Sequence, residues 1–474
     1  MAEEQPDYVG ITSRGRPKLV KSGYGYVQDK RGRDEIVYWK CESRDEFACN
    51  GRLRTDAGLI VAYVGSHNHA PDATRAEVVK ALTDVKEKAK SSQDSSHHIV
   101  TSATNAVSQE AVVQLPSGNA LKRKVQRTRV TAGNVPPTPA SLLDLQLPDR
   151  YLRTHTGDDF VLHDAGPEAG QLRCIVFASA DSMSMLRDAK SFHMDGTFKC
   201  VPLLFSQLYT ILARNGEEVL PAAYCLQPNK TSAMYERIFQ ALLNHTPGLQ
   251  PDAIHCDFEI GAINAAKTKF PDANVRGCFF HLSQNVYKRI QTAGLQERYG
   301  NDVAFALRIR MLTALAFVRE ADVPEYYQIL EDEFPEEAEE VITYFKEYYI
   351  GRLRNNGTRR TPLFSHALWN VHNDVLNKQP RTNNAQEGWH RRFASQVNCH
   401  HPSIWKIITN IADEEQHVQQ RREQLVAGHA APGRKKRYVD RDAKILRIVQ
   451  SYDNREPLEF LRGIAHNLSF HVSE

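Results

Sequence analysis

The sequence predicts a chain of the α+β to α/β class: a mixed sheet flanked by helices, interrupted by an all-helical insertion and preceded by a small metal-stabilised β unit. Three observations predict it. From Phe192 onward, three strand-like runs are followed by alternating helices and strands, the pattern of a mixed sheet with helical cover. Between about 301 and 380 the apolar residues recur at helical spacing and strand signals are scarce. Near the start, two cysteines and two histidines stand in the pattern C-x7-C-x17-H-x-H. With 474 residues, 41% hydrophobic and 25% charged, the chain is long enough for several domains with a sizeable core. Its net charge of +3 carries no global nucleic-acid signature, so local basic clusters matter more. No apolar run is long enough to cross a bilayer, and no membrane partner is expected. The acidic, polar start does not look like a signal peptide. Eight cysteines without a dense framework suggest reduced thiols and an intracellular compartment.

The first unit spans residues 9–70. Ile36 to Trp39 and Leu59 to Val64 are runs of β-branched and aromatic residues, which read as strands. Cys41, Cys49, His67 and His69 are its candidate metal ligands. Two thiolates and two imidazoles suit one tetrahedral Zn²⁺, and a unit this small gains from a metal cross-link. The other reading is two buried cysteines and two surface histidines. The segments Val37-Tyr38-Trp39-Lys40-Cys41, Cys49-Asn50-Gly51-Arg52-Leu53 and His67-Asn68-His69 resemble a FLYWCH zinc finger. That resemblance covers residues 10–70. It implies a small β-sheet module, often DNA-binding, with Cys41, Cys49, His67 and His69 on zinc. Arg14-Gly15-Arg16-Pro17-Lys18 looks like the core of a minor-groove hook, with Arg14, Arg16 and Lys18 as DNA contacts. The alternative is a basic entry to the first strand.

Residues 71–140 read as a helix, from Ala73 to Lys90, followed by a flexible linker rich in Ser, Thr, Ala and Asn. Lys122, Arg123 and Lys124 form a basic run within it: a phosphate-contacting arm, a nuclear import signal, or a solvated charge run.

The second, larger unit begins near residue 141. Its first part runs to 300, with strands expected at 172–178, 192–201, 206–214, 218–226, 253–258 and 275–280. Helices are expected at 181–190, 231–243, 261–270 and 281–292. Asp195 sits inside a mostly apolar strand, a costly place for a carboxylate unless its charge is compensated. A bound cation and a hydrogen-bonded structural role both meet that need. Asp257 lies near a later strand end, the side where ligand sites form in open α/β sheets. Glu387 opens a later helix with Asn383 or Asn384 as N-cap, where the helix dipole by itself favours an acid. Three carboxylates that meet would repel one another without cations. With two Mg²⁺ (or Mn²⁺) ions they form the clamp used in phosphodiester chemistry.

The segments His193-Met194-Asp195-Gly196-Thr197-Phe198, His255-Cys256-Asp257-Phe258-Glu259, Cys278-Phe279-Phe280-His281 and Asn383-Asn384-Ala385-Gln386-Glu387-Gly388-Trp389-His390 resemble the motifs of Mutator-like (MULE) transposases. The resemblance runs from about 150 to 410. It implies an RNase H-like catalytic domain with a D-D-E triad, here Asp195, Asp257 and Glu387. It also implies a helical insertion, placed at 301–380, and places Cys278 and His281 beside the active site. The spacing of those two also allows a packed cysteine and a helix-capping histidine. Glu259, two residues from Asp257, would share a strand face with it. The closing helices with Glu387 span 381–427. A C-terminal region, 428–474, follows with a second basic run at Arg434 to Arg437 and a helix from Lys444 to Tyr452.

These readings lead to a nuclear DNA transposase. It is expected to bind double-stranded DNA, both transposon ends and target, and to act as a homo-oligomer, at least a dimer. It would cut and join phosphodiesters as a Mg-dependent endonuclease and strand transferase. The alternative is a zinc-finger transcription or chromatin regulator that keeps the remainder as a scaffold.

Overall fold

The computed structural model describes residues 4–470 apart from 13–14, 34, 93, 95, 133–134, 217, 380, 382–383, 430–432 and 434. The chain divides into two compact units, Met1–Thr138 and Pro139–Glu474.

The first unit opens with six antiparallel strands in simple sequence order: β1 (Tyr8–Ile11), β2 (Pro17–Lys21), β3 (Tyr24–Arg31), β4 (Val37–Cys41), β5 (Arg52–Asp56) and β6 (Leu59–Val64). Leu19, Tyr26, Trp39, Leu53 and Ile60 fill its small core. The Trp39 indole N–H is satisfied there by Thr55 Oγ1 at 2.9 Å, as a buried donor requires. A helix follows at Arg75–Ser91.

The next stretch departs from the linker expectation. Helices at Ser96–Thr104 and Gly118–Thr131 pack Ile99, Val100, Ala103, Leu121 and Val125 against Val85 and Ala89. The polar composition hides two short apolar stripes at helical spacing, and those stripes decide the structure. Arg129 serves this bundle, donating to the carbonyls of Ser92 at 2.9 Å and Asp94 at 2.6 Å.

The second unit holds a seven-stranded mixed sheet. Its strands are β7 (Val161–Asp164), β8 (Ile175–Phe177), β9 (Ser191–Thr197), β10 (Gln207–Asn215), β11 (Glu218–Gln227), β12 (Ala253–Cys256) and β13 (Asn274–Gly277). Their order is β13-β12-β9-β10-β11-β8-β7. β9, β10 and β11 pair antiparallel, whereas β12 runs parallel to β9 and β13 parallel to β12. β9 stops at Thr197 rather than running to Val201. Its ladder with β10 ends at the Leu208–Thr197 pair, and Phe198 is half exposed beyond it.

Helices Ala180–Asp188, Ser232–His245 and Ile260–Lys269 bury Met183, Leu186, Met234, Ile238, Leu242 and Ala266 in one core with Phe192, Met194 and Ile211 of the sheet. The helix Phe279–Thr292 leads into a helical region at 296–376, where no named strand lies among the described residues. Two further helices, Asn384–Val397 and Ile404–Val426, follow. The C-terminal region extends beyond the single helix expected: Lys436–Gln450 and Pro457–Ala465 place Ile445, Val449, Phe460, Leu461 and Ile464 in the same core. No helix is long and apolar enough to cross a membrane.

Candidate metal centre and acid cleft

In the first unit, Cys41, Cys49, His67 and His69 bring one ligand atom each within 4.8 Å of the others. Cys41 closes β4, Cys49 precedes β5, and the histidines follow β6, so the sheet itself gathers them. His67 Nδ1 lies 3.3 Å from Cys49 Sγ, and His69 Nε2 lies 3.2 Å from Cys41 Sγ. The far nitrogen of each ring is also held: Tyr26 Oη is 2.8 Å from His67 Nε2, and the Ala70 carbonyl is 3.2 Å from His69 Nδ1. Outer contacts of this kind orient imidazoles toward a metal. Tyr24 stacks on the His67 ring at 3.7 Å. Burial, then the neighbouring His69, keeps the His67 pKa low, favouring the neutral form that ligates. Gly51 is demanded here, because a Cβ would come within 2.5 Å of the His67 ring. The donor set and its geometry fit one tetrahedral Zn²⁺.

The basic residues expected at DNA fare differently. Arg16 and Arg123 are exposed, while Lys122 and Lys124 are half-buried. Arg14 lies outside the described residues. Lys18 departs from a free DNA contact: it is buried and its ammonium is paired with Glu42, which also holds Arg75. A buried ammonium needs such a partner. Burial lowers the Lys124 pKa, and the Lys86 and Lys18 ammonium groups lower it further.

In the second unit, Asp195, Asp257 and Glu387 line a single cleft of about 930 Å³, together with His281 and His390. Asp195 is 5% exposed, inside β9, an interior strand of the sheet. β12 runs beside β9 with His255 level with His193. The same register continued by two residues brings Asp257 level with Asp195, just past the carboxyl end of β12. Glu387 arrives from the first turn of the 384–397 helix. Beside it the buried Gln386 amide donates to the Thr210 carbonyl of β10 at 3.0 Å and lies 3.5 Å from that of Asp195. From the other side, Trp389 Nε1 donates to Glu414 at 2.9 Å, and Arg392 pairs with the same carboxylate.

The carboxylates are electrostatically frustrated. Burial, then the neighbouring Asp195, pushes Asp257 up to about 6. Burial raises Glu387 to about 7; His281 opposes this and Asp195 adds to it. Burial raises Asp195 as well. Burial works against the His281 cation, but Asp195, Cys278 and Asp257 outweigh it and hold His281 up to about 10. His281 Nε2 and His390 Nδ1 each lie 3.6 Å from the same Asp195 oxygen. Burial, then His281, pushes His390 down to about 4. Among the described residues Glu387 Oε1 is buried without a hydrogen-bond partner, an acceptor that a divalent cation would satisfy. An all-oxygen acid set of this kind suits Mg²⁺ or Mn²⁺.

Cys278 sits at the N-cap position of the 279–292 helix, buried, with its N–H donating to the Cys256 carbonyl at 2.8 Å. Glu259 is not on a strand face with Asp257. It stands at the N-cap position of the 260–269 helix, its side chain accepting from Tyr235 Oη at 2.7 Å and pairing with Lys230 rather than capping. His390 and Gln386 went unassigned in the sequence, although His390 falls one helical turn beyond Glu387, on the same face. None of the eight cysteines is in a disulfide.

A MULE transposase domain model matches residues 191–285, which include Asp195, Asp257, Cys278 and His281. A FLYWCH zinc finger domain model matches residues 10–69, which include all four Cys and His ligands of the first unit. Among solved structures, the Drosophila P element transposase strand transfer complex aligns over 81% of this chain and 91% of its own, at 10% identity and a TM-score of 0.20. At that score the likeness carries no argument. No curated protein matches the chain. The domain composition supports a transposase-family role: the chain carries, in order, a FLYWCH-type zinc-finger-like domain and a MULE transposase domain.

Proposed function

We propose that this protein is a DNA transposase whose finger reads transposon ends and whose acid cleft cuts and joins phosphodiesters. The observation that carries the reading is that Asp195, Asp257 and Glu387, far apart in the chain, line one cleft. The sheet order supports an RNase H-like core: three antiparallel strands with two parallel strands added beside the first. Asp195, Asp257 and Glu387 would hold two Mg²⁺ or Mn²⁺ ions, which supply activation of the attacking oxygen and stabilisation of the leaving one. Asp195 lies in β9 and Asp257 just past the end of the neighbouring β12, an arrangement suited to sharing a cation between them. Gln386 ties the first turn of the 384–397 helix, which carries Glu387, to β10. His281 and His390 flank Asp195, which sets two imidazoles beside the path of a phosphate. Cys41, Cys49, His67 and His69 would hold one structural Zn²⁺ that keeps the finger folded. Pairing of two ends in one complex calls for at least a dimer, and the reading places the protein in the nucleus.

The test is cutting of a terminal-repeat duplex in Mg²⁺ or Mn²⁺ by the wild type and by Asp257→Asn. Metal-dependent cutting lost in the variant supports the reading. A wild type that binds the duplex but never cuts it favours the regulator.

A further inference from the structure

The cleft has a wall that lies far from the acids in sequence. Lys435, Arg437 and Arg441, at the start of the 436–450 helix, line it together with the three carboxylates. Arg437 and Arg441 are four residues apart and share one helix face. Tyr438 splints them: the guanidinium of Arg437 lies 4.6 Å and that of Arg441 5.1 Å from its ring centroid, and Arg437 also donates to its hydroxyl at 2.7 Å. Neither arginine forms an ion pair among the described residues. The helix is anchored from below. Ile445 is fully buried, and Asp442 pairs with Arg381, whose carbonyl accepts from Phe279 N–H at 3.2 Å. Arg381 therefore ties this wall to the start of the His281 helix. Lys199, Lys288 and Arg391 line the same cleft, also without ion pairs among the described residues.

Cations that line the acid cleft without pairing to its carboxylates are arranged for a polyanion. We infer that the 436–450 helix is a phosphate clamp, in which Arg437 and Arg441 grip the DNA backbone beside the bond to be cut. The clamp rests on the transposase reading for its substrate. Its chemistry is independent of base sequence, since guanidinium groups on phosphates position DNA without reading it.

The experiment measures binding of the full chain, zinc-loaded, to a random-sequence duplex in EDTA over a salt series. Arg437→Gln/Arg441→Gln is expected to lower affinity about tenfold or more and to make the slope of log K against log salt shallower by about two. Arg437→Lys/Arg441→Lys is expected to keep the slope. Lys444→Gln, on the same helix but outside the cleft lining, serves as the control for net charge. An unchanged slope in the double glutamine variant overturns the clamp, and so does an equal change in Lys444→Gln. Weakened binding by the double variant, with no cutting by the wild type, would leave the clamp standing and remove the nuclease.

Discussion

The finger cluster and the acid cleft are built on opposite plans. In the finger, four soft or borderline ligands already lie within 4.8 Å of one another, and the outer nitrogens of both histidines are held. In the cleft, the acids come from a strand, a strand end and a helix turn, and Glu387 Oε1 is left without a hydrogen-bond partner among the described residues. A structural zinc site encloses its ion with protein ligands alone. A site for hard cations and phosphate must keep coordination positions open for water and substrate. The contrast teaches that completeness marks a site for folding and incompleteness marks a site for chemistry.

The sharpest way to break the comparison is to open the closed site. Cys49→Ser is expected to abolish zinc binding and unfold the finger, since structural zinc contributes roughly 10 kcal/mol or more to folding such modules. Zinc stoichiometry falling from one to zero, with protease sensitivity confined to residues 10–69, checks it. Retained zinc would sink the ligand set. Asp257→Asn strikes the open site and is expected to lower cutting by about two to three orders of magnitude or more while zinc content stays at one. A variant that cuts like the wild type would remove Asp257 from the chemistry.

The same substitution has a second, pH-dependent consequence. Asp257 is raised from an ordinary 3.8 to about 6 in the metal-free fold. Between those values the folded state holds a proton that the unfolded state has released. Metal-free stability therefore falls as pH rises from about 4 to about 6 and stays lower above that. Asp257→Asn removes the deficit, so at pH 8 in EDTA it is expected to be more stable than the wild type by on the order of 2–3 kcal/mol. Added Mg²⁺ should raise the melting temperature of the wild type more than that of the variant. A variant less stable than wild type in EDTA at pH 8 would contradict the repulsion argument.

Two smaller changes probe the supporting contacts. Tyr26→Phe removes the hydroxyl on His67 and is expected to weaken zinc affinity by about 10–100-fold without changing stoichiometry, as read by chelator competition. Gln386→Ala leaves the Thr210 carbonyl without its side-chain donor. It is expected to cost about 1–2 kcal/mol in chemical denaturation, with a matching loss of cutting and none of zinc.

Much of this was legible in the residues. The strands and helices between 175 and 292 lie within a few residues of their sequence patterns, because the mixed sheet alternates apolar runs with well-marked turns. The finger ligands were readable because all four lie within one short meander. The failures have common causes. The helices at 96–104 and 118–131 were hidden by Ser, Thr and Asn, whose composition outweighed sparse stripes such as Ile99, Val100 and Ala103. Lys18 read as a surface cation because its partner, Glu42, lies two strands away. Glu387 lines the cleft from a helix whose Gln386 reaches β10, and Arg441 from one whose Asp442 pairs with Arg381. No local pattern encodes contacts of such sequence separation.

The helix Pro457–Ala465 buries Phe460, Leu461 and Ile464 in the core that includes Phe305 and Ile309 of the 303–314 helix. During synthesis, that apolar surface stays exposed until some 150 further residues have been made. The first unit, complete by residue 138, can fold well before then. Folding of the second unit should be slow by comparison, and partial chains that end short of residue 457 should be the species most prone to aggregate.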